Sequence, residues 1–231
     1  MPPCADWHPI LPSHALGAGE RLVATRALGQ DLVAWRSAAG VVQVWRDRCP
    51  HRGVRLSLGR IIGGRLSCAY HGWEFAADTG RCTLIPALAD LAGVPGQVGA
   101  RVCAATETRQ MVWVRLDADA ARPGSALPIE PAGDAGPGTF LRSIGMDAGI
   151  DTVHGTLQQC GFAPQGPATW CGSLAGQAVR LFTHPAQPDL SFVHAWAVTP
   201  APAQAPGAVF AALRRLRSAA VGANGRRSHT P

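Results

Sequence analysis

The chain has 231 residues, of which 47% are hydrophobic and 16% are charged, a composition typical of a packed globular protein. No apolar run reaches the about 18 residues needed to span a bilayer, and the first residues lack the basic and apolar regions of a signal peptide. We therefore expect a cytoplasmic protein without a membrane-spanning segment. The net charge is +6, but the arginines are scattered and no nucleic-acid-binding motif is present, which disfavours a nucleic-acid partner.

Short segments rich in β-branched and aromatic residues predict an all-β region between residues 21 and 116. Residues 21–26, 31–35 and 41–45 are such segments, and turns containing glycine separate them. Residues 111–116 have the composition of a closing strand. We therefore predict a small antiparallel sandwich or barrel, within an N-terminal domain that comprises residues 1–116.

Two loops in this region each combine one cysteine with one histidine. Residues 49–53 are Cys-Pro-His-Arg-Gly, and residues 68–73 are Cys-Ala-Tyr-His-Gly-Trp. A Rieske [2Fe-2S] cluster has two thiolates on one iron and two imidazoles on the other, so each loop would donate one ligand of each kind. We therefore predict that Cys49 and Cys68 bind one iron and that His51 and His71 bind the other.

The loop sequences contain residues that suit this role. Gly53 and Gly72 permit tight turns and close backbone approach to cluster sulfurs, and Trp73 is placed to cover the cluster. A structural zinc site is the main alternative, since two cysteines and two histidines also satisfy tetrahedral zinc. Zinc fingers usually group like ligands, whereas the order here is Cys, His, Cys, His, which favours the cluster. Four unrelated core residues are the third possibility.

The remaining cysteines and the positive charge allow simple interpretations. Seven cysteines are an odd number, and with no secretory signal we expect reduced thiols at the other five positions, which are Cys4, Cys82, Cys103, Cys160 and Cys171. A basic surface would speed the encounter with an acidic electron-donor protein. A solvated basic surface without a partner is the alternative.

The second half of the chain predicts a separate α+β domain. Residues 117–139 are rich in Ala, Pro, Gly and Asp and predict a linker. The domain itself comprises residues 140–220, and the tail 221–231 is expected to be disordered. Three elements are predicted within the domain: a helical pattern over 140–159, a strand over 191–198 and a short basic helix over 207–220.

The N-terminal half resembles the Rieske domain of the Rieske non-haem iron oxygenases, of the vanillate O-demethylase and phthalate dioxygenase kind. The resemblance covers residues 7–9, 48–54, 56–59, 70–75 and 85–86. It implies an α+β fold, in which an all-β Rieske domain precedes a shortened remnant of the catalytic domain. It also implies reduction by a ferredoxin or flavin reductase, a small aromatic substrate and a homotrimer. The loops lack the extra cysteines of respiratory Rieske proteins, so we expect a low-potential cluster.

The same family binds a mononuclear Fe(II) in its catalytic domain, through an Asp-x2-His-x4-His motif on a helix. Asp151 and His154 match this motif, and their i, i+3 spacing places both on one helical face. The resemblance implies that Asp151 bridges His71 of a neighbouring subunit to His154, which would bind the iron. Gln159 stands where the second histidine belongs, and the family's carboxylate ligand lies further downstream than this chain extends.

These departures make the mononuclear iron doubtful and leave several interpretations open. Asp151 and His154 could instead be an ordinary polar pair on a helix. His184, Asp189 and His194 are candidate substitute ligands, although surface or core roles are favoured for all three. The chain is therefore interpreted as a Rieske oxygenase component, or as an electron-transfer or accessory protein without oxygenase activity. A truncated product with little function is the third interpretation.

Overall fold

The computed structural model of the protein describes residues 7–17, 21–88, 90, 98–116, 138–198 and 206–227. The chain divides into two compact units. The first comprises Met1–Arg26 and Gln30–Ser125, and the second comprises Ala27–Gly29 and Ala126–Pro231. Most of the predicted linker, residues 117–137, lies outside the described residues. The division at residues 116 and 139 therefore stays a prediction.

The larger sheet of the first unit has six strands in the order β1-β10-β9-β4-β3-β2. Four of its pairings, β1 with β10, β10 with β9, β9 with β4 and β4 with β3, are antiparallel. The strands are β1 His8–Pro12, β2 Val23–Ala27, β3 Gln30–Arg36, β4 Val42–Arg46, β9 Val102–Thr108 and β10 Met111–Arg115. The predicted antiparallel all-β region is therefore confirmed, with the closing strand one residue shorter than expected.

A second sheet of four short strands carries the ligand loops. It consists of β5 Arg60–Ile62, β6 Arg65–Ser67, β7 Glu74–Phe75 and β8 Cys82–Leu84. The first Cys/His loop follows β4 and leads into a 3-10 helix, Leu56–Leu58, and the second loop joins β6 to β7. Large side chains such as Trp35 and Trp45, whose rings meet edge to face at 5.3 Å, fill the core beneath both loops. This packing gives the loops a rigid base.

The second unit is a five-stranded antiparallel sheet in the order β11-β15-β14-β13-β12. Its strands are β11 Thr139–Met146, β12 Ala163–Pro164, β13 Thr169–Leu174, β14 Gln177–Gln187 and β15 Leu190–Ala197. The helices α1, Ile150–Gln159, and α2, Pro206–Arg227, join one apolar core with this sheet. In the part of the chain that the structure describes, no helix is long and apolar enough to cross a membrane.

Two expectations for this unit were wrong in their bounds. The helical pattern predicted over residues 140–159 is a strand followed by a helix, because Thr139–Met146 pairs with β15 and the helix begins only at Ile150. The tail expected to be disordered from residue 221 continues α2 as far as Arg227. Helix propensity does not explain this extension, because residues 221–227 include the poor helix formers Gly222, Asn224 and Gly225. Residues 228–231 lie outside the described residues.

The helix that carries Asp151 and His154 depends on the apolar contacts of its buried residues. Leu157, 1% exposed, packs in the core of the second unit with side chains of α2. We expect Leu157→Ala to lower the free energy of unfolding of this unit by about 2–5 kcal/mol, because the change leaves a cavity. Val221→Ala, at an exposed position of α2, is the control, and its free energy of unfolding should stay within about 0.5 kcal/mol of the unchanged protein. Urea denaturation followed by circular dichroism measures both, and equal midpoints would contradict the expected packing role.

Candidate iron-sulfur site

The first ligand loop is closed by backbone hydrogen bonds at its base. The amide of Cys49 donates to the carbonyl of Val54 at 2.8 Å, and the amide of Gly53 donates to the carbonyl of Cys49 at 2.9 Å. Gly53 has a φ of 75°, in the left-handed region that favours glycine. The loop thus turns back on itself within six residues and presents His51 at its tip.

The second loop has the same backbone pattern. The amide of Cys68 donates to the carbonyl of Trp73 at 2.9 Å, and the amide of Gly72 donates to the carbonyl of Cys68 at 3.1 Å. Gly72 has a φ of 68°. In both loops the glycine therefore stands four positions after the cysteine and makes the same turn. The two loops are structural equivalents that each offer one thiol and one imidazole.

The two thiols lie inside the first unit. Cys49 and Cys68 are each 4% exposed and belong to its hydrophobic core. Burial raises the pKa of Cys49 to about 11, and the neighbouring Cys68 adds to this rise. Because a thiol must lose its proton to bind a metal, metal binding here would release protons and stabilise a thiolate in an apolar surrounding.

The two imidazoles lie at the surface. The rings of His51 and His71 are 4.7 Å apart between centroids, and both residues are exposed. The ring of Trp73 stacks on His51 at 4.4 Å with an angle of 7° between planes, and Tyr70 lies 3.8 Å from His71. Shielding by neighbouring atoms and the charges of His71 and Arg52 lower the pKa of His51. A neutral imidazole is the form that binds a metal.

This donor set fits a Rieske cluster. The structure brings together the four side chains that the sequence predicts, with two thiols inward and two imidazoles outward. Among the described residues, no group of three or more His, Cys, Asp or Glu side chains could hold a single metal ion. A Rieske cluster needs only two protein ligands for each iron, so the arrangement meets its requirement. A surface pocket lined by Leu58, Gly59, Arg60, Cys68, Ala69 and Gly72 borders the second loop.

Sequence reasoning missed two polar contacts that bracket the loops. Around the first loop, both the amide and the hydroxyl of Ser57 donate to the carboxylate of Asp47, at 2.7 and 2.6 Å. Around the second, Arg65 donates to Glu74 at 2.7 Å, across the strands that enter and leave the loop. Asp47 is 4% exposed and Glu74 is 6% exposed. One acidic residue flanks each loop in the sequence, and this was the signal that could have revealed the two contacts.

Asp151, the predicted bridging carboxylate, and His154, the predicted ligand of a mononuclear iron, lie on α1 of the second unit. Asp151 is exposed in the first turn of the helix. His154 is partly buried, and its Nε2 lies 3.0 Å from Thr183 Oγ1 within hydrogen-bonding distance. Its ring lies 5.0 Å from Trp170. Burial lowers the pKa of His154, against an opposing effect of the Asp151 charge.

Among the described residues, the other candidate iron ligands form no metal-binding group of three or more side chains with His154. Gln159 is exposed at the end of α1, and Asp189 is exposed between β14 and β15. His184 and His194 are buried and contact each other, with Nδ1 and Nε2 at 3.3 Å. His194 also lies 2.7 Å from Ser143 through its Nδ1.

These residues do not fit a mononuclear iron. His154 Nε2 lies within hydrogen-bonding distance of Thr183 Oγ1, threonine is not among the usual iron ligands, and no group of three or more His, Cys, Asp or Glu side chains in the described part of the chain could hold a metal ion. The buried residues that α2 contributes to the shared core are apolar, and they include Val209, Leu213 and Leu216. We therefore derive no chemical step through an iron at His154.

The geometry of the second loop can be tested at Gly72. A Cβ at this position would lie 3.1 Å from Pro86 Cγ, in addition to the strain of a left-handed backbone of about 1–2 kcal/mol. We expect Gly72→Ala to reduce the cluster content, measured by iron analysis and visible absorption. Gly63→Ala is the matched control, since Gly63 also has a positive φ but a Cβ added there would meet no atom within 4 Å. Equal cluster content in both variants would contradict the role of this close approach.

Comparison with known proteins supports the assignment of the first unit. A family model described as Rieske [2Fe-2S] domain matches residues 6–95. Oxidoreductase NdmD from Pseudomonas putida is 37% identical over 154 residues, which are 67% of this chain and 26% of NdmD. The 3-chlorobenzoate-3,4-dioxygenase oxygenase subunit from Comamonas testosteroni is 40% identical over 110 residues, which are 48% of this chain and 25% of that protein. The matches thus span about a quarter of the length of these curated relatives.

Solved structures share the fold over most of the chain. Dicamba monooxygenase has a TM-score of 0.71 at 17% identity, with 97% of this chain and 88% of that chain covered. NdmA from Pseudomonas putida has a TM-score of 0.70 at 19% identity, with 94% and 79% covered. Residues 6–95 are a Rieske [2Fe-2S] domain, and the chain is a relative of the Rieske non-haem iron oxygenases.

Proposed function

We propose that the chain is a Rieske oxidoreductase that carries single electrons, with Cys49 and Cys68 on one iron of its cluster and His51 and His71 on the other. The observation that supports this most directly is the pair of equivalent loops, whose thiols are buried and whose imidazoles are exposed 4.7 Å apart. A Rieske cluster, when bound, supplies one-electron oxidation and reduction.

The side chains around the predicted ligands shield the two thiols and leave the two imidazoles accessible. The core around Cys49 and Cys68 excludes water from the thiolates, which keeps their environment apolar. His51 and His71 are exposed, so a partner protein can approach the imidazole side closely. The stacked ring of Trp73 holds the His51 imidazole in one orientation. Electrons would therefore enter and leave on the imidazole side.

The surface around the imidazoles suits an acidic electron donor. Residues 48–72 contain five arginines and no acidic residue. Arg55 and Arg65 pair with Asp31 and Glu74, whereas Arg48, Arg52 and Arg60 have no acidic partner within the described residues. Leu58 and Tyr70, 66% and 60% exposed, add apolar contact area. We infer that a ferredoxin or a flavin reductase with an acidic face docks here, because complementary charge speeds encounter.

This docking surface predicts a salt-dependent rate of reduction. With a reduced acidic plant-type [2Fe-2S] ferredoxin as the probe, we expect Arg52→Glu with Arg60→Glu to slow cluster reduction about tenfold at low salt. The difference in rate between the variant and the unchanged protein should vanish at about 0.5 M salt, where charges are screened. Stopped-flow absorbance measures the rate. Arg214→Glu with Arg215→Glu, at two exposed positions of α2, is the charge-matched control, and an equal loss in that variant would contradict a local docking surface.

The finer aspects of the oxygenase interpretation are proposals that the relatives support. Names such as 3-chlorobenzoate-3,4-dioxygenase and dicamba monooxygenase suggest a small aromatic substrate for an active second unit. A homotrimer would bring His71 of one subunit near Asp151 of the next, and Asp151 is exposed as such a bridge requires. A cytoplasmic location also stays a prediction.

One observation favours the second candidate function, an electron-transfer or accessory protein without oxygenase activity. His154, the predicted ligand of a mononuclear iron, has its Nε2 within hydrogen-bonding distance of the hydroxyl of Thr183, at 3.0 Å. Gln159, in the place of the second histidine, is exposed at the end of its helix. In this case the electrons would pass to a second partner protein rather than to an iron in the second unit.

Metal analysis distinguishes the two candidates. For the electron-transfer function, we expect about two irons per chain in protein produced with ample iron, all in the cluster. Nitric oxide added to the reduced protein should give no S = 3/2 EPR signal, the signature of a mononuclear Fe(II) adduct. His154→Asn should leave the cluster EPR spectrum unchanged. A third iron with an S = 3/2 signal that His154→Asn abolishes would instead establish the oxygenase site.

A further inference from the structure

Asp47 is a buried carboxylate beside the first cluster loop. It is 4% exposed, and its hydrogen-bond donors are the amide and the hydroxyl of Ser57, at 2.7 and 2.6 Å. Within the described part of the chain, no arginine or histidine forms an ion pair with it. The hydrogen bonds satisfy the carboxylate oxygens but do not neutralise their charge.

The charge of Asp47 lies close to a predicted cluster ligand. Asp47 is two residues before Cys49, so their Cα atoms are at most about 7 Å apart. Both residues are buried, and a charge acts more strongly through a protein interior than through water. Reduction adds an electron to the cluster, and a nearby negative charge opposes this step. The net charge around an iron-sulfur cluster is one of the factors that set its reduction potential.

The corresponding carboxylate at the second loop is different, because it has a cation. Glu74 is buried to a similar degree, but Arg65 donates to it at 2.7 Å. The two charges largely cancel at a distance. The two loops therefore share a backbone and a bracketing carboxylate, but among the described residues only the carboxylate of the second loop has an ion-pair partner.

We propose that Asp47 lowers the reduction potential of the cluster through its charge and, through Ser57, holds the base of the first loop. This inference rests on the proposed function, since it requires that the Rieske cluster is bound. Asp47 acts as a positioning and tuning residue, because its carboxylate binds Ser57 and not the metal. Ser57 lies in the 3-10 helix that follows the loop, so its contact with Asp47 closes the segment between residues 47 and 57.

The test compares reduction potentials of cluster-loaded variants by spectroelectrochemistry. Asp47→Asn removes the charge with little change of shape, and we expect the potential to rise. Ser57→Ala removes the hydroxyl bond and keeps the charge, so the potential should not rise, although the midpoint of urea denaturation should fall. The double variant Arg65→Gln with Glu74→Gln removes a neutral pair, and it should lower stability without moving the potential.

The outcomes separate this inference from the proposed function. A wild-type protein without a Rieske EPR spectrum would refute the proposed function itself. A normal spectrum with an unchanged potential in Asp47→Asn, or an equal rise in Ser57→Ala, would overturn the electrostatic role alone. Asp47→Ser, with a small neutral hydroxyl, replaces Asp47→Asn if the latter binds no cluster. Loss of the cluster in both neutral variants, with full loading of Ser57→Ala, would show a role in assembly and overturn the effect on the potential.

Discussion

The structure depends on the way two short loops are anchored in one apolar core. Each loop begins with a buried cysteine whose amide and carbonyl both take part in the hydrogen bonds that close it. The cysteines thereby belong to the core and to the site at once, so packing of the first unit fixes the spacing of the thiols. The histidines extend outward from the same turns. The fold of the first unit thus sets the relative positions of the four predicted ligands before any metal binds.

The fold that the chain shares with dicamba monooxygenase and NdmA includes most of the second unit, in which the polar side chains of interest contact each other or neighbouring residues. Helix α1 still places Asp151 and His154 one turn apart, but His154 is held by Thr183. His184 and His194, two other candidate ligands, are buried and contact each other. A fold of this kind can persist because its stability comes from the apolar core between the sheet and helices, which does not involve the polar positions.

The sequence predicted most where chemistry restricts it most. Ligand order and spacing predict Cys49, His51, Cys68 and His71 as cluster ligands, because few metal sites alternate cysteine and histidine in this way. Asp47 and Ser57 escaped notice, since their contact joins residues ten apart that have no shared periodicity. The strand from Thr139 to Met146 was mistaken for helix because its apolar residues fit a broad helical face. Only pairing with β15, a contact between distant residues, decides its conformation.

The stacking of Trp73 on His51 joins the two loops directly, because the tryptophan belongs to one loop and the histidine to the other. Separation of the rings would expose both of the stacked faces to water, which opposes independent movement of the two loops. A site that is constrained in this way would change its geometry little when the charge of a bound cluster changes. Little nuclear rearrangement would then accompany oxidation or reduction of a bound cluster, and small rearrangement is the condition under which an electron crosses rapidly between two proteins in brief contact.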